Sequence, residues 1–357
     1  MPTLFDPVQI GALHLPNRIV MAPLTRMRAF DERTAGAMQA QHYAQRASAG
    51  LILTEATSVS PQGVGYPNTP GIWSEKQVEG WKEVTAAVHA AGGRIVSQLW
   101  HVGRISDPSF HNGEPPVAPS AIAAEGHVSV LRPQRPFPVP RALETAELPG
   151  ILADVRKGAE NAKRAGFDGV ELHGANGYLF DQFLHDGSNK RTDRYGGSIE
   201  NRARFLLEAV DAILEVWPAD RVGVHLNLMS NSHSMSDSDP RALFAYVAEQ
   251  LNDRKIAFIF GRESLDRGDA AIGPVVRKIF KGAYIVNDGL TQEVAEAAIE
   301  SGQADAASFG RLYIANPDLV ERFRAKAALN PLNSQTIYSP DETGYNDYPT
   351  LSAVAAA

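Results

Sequence analysis

A chain of 357 residues with 44% hydrophobic and 21% charged residues can bury a sizeable core, and no stretch approaches the roughly 20 apolar residues that a membrane span needs. The absence of cysteine excludes disulfides, thiolate nucleophiles, cysteine-ligated zinc and cysteine-held iron–sulfur clusters. A formal net charge of −7 without a long basic run argues against nucleic acid as the main partner.

The N-terminal "MPTLFDPVQIGALHLPNRI" lacks the basic start, apolar centre and small-residue cleavage site of a secretory signal, so it reads as part of the fold and the cytoplasm is the expected compartment. Short apolar or β-branched runs then alternate with longer amphipathic stretches. The expected strands are "IVMAP" from Ile19, "LILTEA" from Leu51, "RIVSQLW" from Arg94 and "GVELHG" from Gly169. They continue with "VGVHL" from Val222, "IAFIF" from Ile256, "YIVND" from Tyr284 and "AASFGR" from Ala306. The clearest helix follows the fourth strand. Ser198 caps it, Ile199, Ala203, Leu206, Leu207, Val210 and Ile213 recur at helical spacing, and Pro218 stops it. Thr291–Ser301 and Pro317–Ala327 read likewise. Eight βα pairs outline an α/β fold, a (β/α)8 TIM barrel with an N-terminal hairpin, and one domain is expected over residues 1–357. The exception is the Pro-rich insert 104–148 after the third strand, which has no helical period and is expected to form a lid or pocket wall over the C-terminal face. Residues 350–357 read as a frayed tail.

Barrel chemistry belongs to side chains at the C-terminal strand ends. These ends carry Thr25, Ala56, Gln98, Trp100, His173, His225, Asp288, Gly289, Gly310 and Arg311. The set is mostly neutral hydrogen-bonding groups, whereas a hydrolase wants paired carboxylates or an activated nucleophile and a metal site wants clustered His and Asp. Glu171 alternates onto the side of His173 but two residues deeper, as a buried brace; Glu55 alternates away from Ala56, toward the helices. "NDGLTQE" and "FGRLY" both place glycine where a helix begins after strands seven and eight, which suits a phosphate. A phosphate and a flat polar ring held by Thr, Gln, His and backbone groups describe FMN, although the pattern alone leaves the cofactor unnamed.

Longer motifs carry a resemblance. "APLTR" (22–26), "QLWHVGR" (98–104), "ELHGANGYLFDQFL" (171–184), "NKRTDRYGGSIENRARF" (189–205), "FGRLYIANPDL" (309–319) and "GYNDYP" (344–349) resemble the Old Yellow Enzyme family of FMN-dependent ene-reductases, N-ethylmaleimide reductase-like, in order from about Leu4 to Pro349. The resemblance implies non-covalent FMN held by Pro23, Leu24, Thr25, Ala56, Gln98, His173, His225, Asp288, Gly289, Gly310 and Arg311. It implies that NAD(P)H reduces the flavin, after which an electron-poor alkene (an enone, maleimide or nitro compound) takes the hydride at the same place. His173 and Asn176 would bind the substrate oxygen, Tyr178 would protonate the α-carbon, and Tyr66, Trp100 and Tyr345 would line the substrate pocket. Neither a metal, nor nucleic acid, nor a membrane is implied; the chain would be a monomer or homodimer.

Three positions depart from the family pattern. His225 stands where Arg is usual, and its charge would make flavin reduction vary with pH. The loop 226–237 differs from the usual version. Asp288 sits where many relatives have a small residue, and is expected to cap the following helix. His42, His89, His111 and His127 read as surface residues, and Arg132, Arg135 and Arg141 are candidates for a nicotinamide 2′-phosphate. The alternatives are a metal-dependent barrel hydrolase using His101, His173 and His225, and a flavin-binding barrel without turnover. A dienoyl-CoA reductase with an iron–sulfur cluster is disfavoured by the lack of cysteine.

Overall fold

The computed structural model describes residues 1–229 and 232–355. Eight parallel strands among them close on themselves: β1 Ile19–Met21, β2 Leu51–Leu53, β3 Ile95–Trp100, β4 Gly169–Gly174, β5 Val222–Asn227, β6 Phe258–Arg262, β7 Ala283–Asn287 and β8 Ala306–Phe309. Each pairs with the next, and β8 returns to β1 through Ser308↔Val20. The eight expected strands are all present, but β6 starts later and runs further than "IAFIF", which brings Arg262 to the barrel mouth.

The first βα layers are α1 Ala37–Ala44, α2 Glu75–Ala90, α3 Leu148–Arg164, α4 Leu179–Leu184 and α5 Ile199–Leu214. The rest are α6 Pro240–Asp253, α7 Gly273–Ile279, α8 Gln292–Glu300, α9 Arg311–Ala315, α10 Leu319–Ala325 and α11 Leu351–Ala355. Ser198 caps α5 as expected, accepting from the Asn201 N–H. The expected tail carries α11, whose Leu351 N–H donates to Asp318.

Inward side chains Val20, Leu51, Leu53, Val96, Phe258, Phe260 and Ile285 fill the lower barrel. A hairpin of Val8–Ile10 and Leu13–Leu15 adds Ile10, Leu13 and Leu15 to that cluster from below. Its turn needs Gly11, at φ +56°, because a Cβ there would lie 2.0 Å from the Asp220 carbonyl. The insert 104–148 is irregular, with one short parallel pair, Val117–Ala118 and Arg141–Ala142. Its Ala124, Val128 and Phe137 pack in one cluster with Met27, Ala56, Tyr66 and Trp100 at the mouth. Arg191 ties the insert down by donating to the Pro119 and Leu143 carbonyls.

Arg46, fully buried beyond the C-terminus of α1, donates to the carbonyls of His42, Tyr313 and Ile314. It thereby satisfies the C-terminal carbonyls of α9, the helix at the eighth strand end. Arg46→Leu leaves those oxygens buried and unpaired, and is expected to cost about 3 kcal/mol of stability, read as a lower denaturant midpoint at unchanged slope.

Candidate active site

Two successive layers just below the mouth are built by register. Gln98 on β3 pairs with Glu171 on β4, and His173 on β4 with His225 on β5. All four are at most 4% exposed. Gln98 Nε2 donates to Glu171 Oε2 at 2.7 Å and meets His225 Nδ1 at 3.2 Å. An amide nitrogen only donates, so His225 Nδ1 accepts and its proton sits on Nε2. That Nε2 is buried, without a partner among the described residues, and His225 lines the cavity above. Burial, then His173 and Arg262, hold His225 well below the usual imidazole range. The pH-dependent charge expected of His225 is therefore corrected to a neutral donor, because the groups that act on it, His173 and Arg262, add to desolvation instead of offsetting it.

His173 is set in the same way. Its Nδ1 accepts from the Ala175 N–H at 3.3 Å, leaving Nε2–H as the donor, and burial followed by Arg262 pushes its pKa down to about 3. Its ring stacks with that of His225 at 4.9 Å and meets Tyr178 edge-on at 5.0 Å. Tyr178 lies 5.0 Å from Trp100 between ring centroids, and its hydroxyl is 3.2 Å from that of Tyr66. Burial, then the neighbouring Tyr66, raises the Tyr178 phenol well above its ordinary value, and burial raises Tyr66 to about 12. Both phenols stay protonated through the neutral range.

The β4 loop bends through Asn176, at φ +58°, a conformation that Asn tolerates better than most residues. Three contacts pin it. The Asn176 carbonyl is 2.7 Å from His233 Nδ1, the Gly177 N–H donates to Asp181 Oδ2, and Arg262 Nη1 donates to Asn176 Oδ1 at 2.8 Å. Asp181 belongs to a buried ionic group: its Oδ1 is 3.0 Å from His185 Nε2, and Asp237 faces both His185 and Arg202. Burial opposes the His185 charge, but Asp181 and Asp237 outweigh it and raise its pKa to about 9.

A cavity of about 540 Å³ opens beside this layer, lined by Pro23, Leu24, Asn176, His225, Arg262, Asp288, Gly289, Gly310 and Arg311. Its size is in the range of small-molecule sites. A side chain at Gly289, which has φ +66°, would meet open space, so backbone is presented to the cavity there. Thr25 is half-buried on the segment after Leu24, and Ala56 is buried among Tyr66 and Trp100. Glu55 turns outward as expected: its Oε2 accepts from the N–H groups of Arg26 and Met27 and so braces the segment that carries Thr25.

Several residues stand elsewhere than expected. Tyr345 is fully buried away from the aromatic cluster, stacked on His42 at 3.8 Å and covered by Arg26 and Arg28. His42 is accordingly an interior residue, only 1% exposed. Thr291, and not Asp288, caps α8; Asp288 Oδ2 lies 3.9 Å from Arg262 Nε. In the insert, Arg135 pairs with Asp107 and Arg141 with Glu147. Arg262 and His233 were missed. Arg262 follows a glycine where the apolar run of the sequence ends, and His233 lies in the unusual 226–237 loop, of which Ser230 and Asn231 lie outside the described residues. The signal for Arg262 was a lone cation directly after an apolar strand pattern.

A closed (β/α)8 barrel whose mouth joins neutral donors to a glycine- and arginine-lined cavity suits a phosphate-bearing cofactor with a flat polar ring. The chain belongs to the NADH:flavin oxidoreductase / NADH oxidase family, whose profile matches residues 3–330. The structure of morphinone reductase in complex with tetrahydroNAD superposes with a TM-score of 0.95 at 49% identity, covering 98% of each chain. The Old Yellow Enzyme homologue from Zymomonas mobilis gives 0.95 at 45%, covering 98% of this chain and 100% of that one. A probable flavin mononucleotide-dependent alkene reductase of Leishmania infantum is 43% identical over 98% of this chain and 97% of its own. Among the described residues no group of three or more His, Asp or Glu is placed to hold a metal ion.

Glu171 supplies a test of the buried layer. Burial, only partly offset by Gln98, raises its pKa from 4.5 to about 8, and its Oε1 has no partner among the described residues. The folded state therefore keeps a proton that the unfolded chain loses above pH 4.5, so stability from this position is full below 4.5 and is lost as the pH rises toward 8. Glu171→Gln, which cannot ionise, is expected to gain on wild type by up to about 1.4 kcal/mol per pH unit across that window. Tm against pH for the two proteins reads the gap, which levels off above pH 8.

Proposed function

We propose that the protein reduces activated C=C bonds of α,β-unsaturated carbonyl or nitro compounds, enones and maleimides among them and nitrate esters as a further group, with NAD(P)H as the reductant. Reductant and alkene occupy one site in turn, which is a ping-pong cycle. The observation that carries the reading is the pairing of His173 with Tyr178, 5.0 Å apart and both uncharged, at the end of the strand whose loop carries Asn176.

The residues present suit FMN. The unpartnered His225 Nε2 and the Gln98 oxygen are a donor and an acceptor for the edge of a polar ring. Gly289, Gly310 and Arg311, with Pro23 and Leu24 in the same cavity wall, suit its phosphate, and Asp288 stands at the rim beside Arg262; Thr25, Ala56 and His173 are the remaining candidates for the ring. When bound, FMN supplies the hydride that it has taken from NAD(P)H. His173 Nε2–H and the Asn176 amide bind the substrate oxygen and draw electron density from the β-carbon; they are donors already in place where negative charge develops. Tyr178 holds a proton at its hydroxyl for the α-carbon, and Tyr66, 3.2 Å behind it, keeps that hydroxyl oriented. Trp100 and Tyr66 form the apolar wall, and the insert packs over them to exclude water.

Use of NAD(P)H and a cysteine-free chain favour the cytoplasm; a monomer or homodimer, distinguished by light scattering, is the expected state. Purified protein should be yellow, bleach under NADH or NADPH, and recover on cyclohexenone, maleimide or a nitrate ester in stopped flow; flavin that stays unreactive defeats the reading. His173→Ala should slow the reoxidation by about 10²–10³-fold with FMN still bound. Tyr178→Phe should slow it less for substrates whose α-carbon water can protonate.

A further inference from the structure

We propose that Arg262 is a positioning residue that fixes the direction of the Asn176 amide, so that the loop after β4 offers its N–H, and not its oxygen, to the substrate; the proposal rests on the reading of Asn176 as an oxygen-binding group.

Three observations carry it. First, β6 delivers Arg262 to the mouth: its register partners are Asn227 on β5 and Asn287 on β7, two residues above the layer of His225 and Phe260. The preceding position has to be glycine for the strand to reach there, because a Cβ on Gly261 would lie 2.2 Å from the Tyr284 hydroxyl. Second, Arg262 Nη1 donates to both Asn176 Oδ1, at 2.8 Å, and Ser232 Oγ, at 3.0 Å. A guanidinium has five donors and no acceptor. The amide oxygen must therefore face Arg262, since the NH2 turned that way sets donor against donor. Third, Asn176 and Arg262 both line the cavity, and with Oδ1 committed, Nδ2 is the polar atom left to the ligand.

The main chain around Asn176 is held independently, by His233 Nδ1 at its carbonyl and by Asp181 at the Gly177 N–H. Those contacts fix where the residue sits but leave χ2 free to turn. Arg262 supplies the missing constraint. Asp288 does not compete for it strongly, since its carboxylate is 3.9 Å from Nε and both side chains are about one-third exposed. The arginine thus acts through the amide, at one remove from the substrate.

The experiment is a double-mutant cycle on the FMN-loaded protein, with cyclohexanone, a saturated ketone that cannot be reduced at carbon–carbon, as the probe and the perturbation of flavin absorbance as the readout. Arg262→Ala is expected to weaken cyclohexanone binding about tenfold, to raise KM for cyclohexenone more than it lowers kcat, and to leave the Kd for FMN within about threefold of wild type. Arg262→Lys, which keeps one donor on a mobile stem, should restore part of the affinity. The double variant Arg262→Ala/Asn176→Ala should bind no more weakly than Asn176→Ala alone. Additive losses, or a loss in Arg262→Ala that falls chiefly on FMN affinity, overturn the proposal while leaving Asn176 in its role. If Asn176→Ala alone does not weaken cyclohexanone binding, the role of Asn176 fails and the proposal fails with it. Should Arg262→Ala fold poorly, the same cycle run with Arg262→Gln decides the matter, since its amide can place either a donor or an acceptor toward Asn176.

Discussion

Gln98 hands its amide protons to two buried acceptors, Glu171 beside it on the next strand and His225 one layer higher, and the protonation pattern of the mouth depends on that sharing. Because Nδ1 of His225 accepts, its other nitrogen must carry the hydrogen. Because burial penalises the charged form, neither that ring nor the stacked ring of His173 takes up a charge in the neutral range. Parallel pairing of β3, β4 and β5 sets Gln98 level with Glu171 and His173 level with His225 one layer higher, so the chemistry of the mouth is a consequence of barrel closure.

Charge enters this site from its rim. Arg262 and Arg311 stand in the cavity wall, outside the stacked imidazoles. The division is physically sensible. A cation among the imidazoles would face the full desolvation penalty, whereas a guanidinium that is 29% exposed keeps part of its hydration and still acts on His173, His225 and Tyr178 nearby. Arg262, a fixed positive charge, stands one strand along from His225 and one layer up.

Much of this was legible beforehand. The eight strands announced themselves because each is a short apolar run followed by a helical period, and the "ELHGANGY" stretch placed its donors at a strand end. What escaped depends on distances the chain order does not contain. Whether His225 is charged is decided by dryness and by which atom Gln98 turns toward it. Tyr345 and His42 are 303 residues apart, and their stacking follows from the C-terminal segment crossing α1. The end of β6 was misjudged because Gly261 looks like a turn; it is glycine because Tyr284 on the next strand leaves no room for a side chain. Asp288 and Thr291 both have capping chemistry, and only the backbone path shows that Thr291 has the geometry.

The buried ionic group around His185 joins two loops that are far apart in the chain. Asp181 holds the turn after β4, while Asp237, reached through the same imidazolium and through Arg202, belongs to the segment after β5 that carries His233 to the mouth. The charge that His185 keeps up to about pH 9 attracts both carboxylates, its ring hydrogen-bonded to Asp181 at 3.0 Å and 3.7 Å from Asp237. The two loops are also laced directly, Asp186 N–H to Asp237 and Gly187 N–H to the Ser236 carbonyl, so the imidazolium is the buried centre of a wider seam that holds one loop against the other.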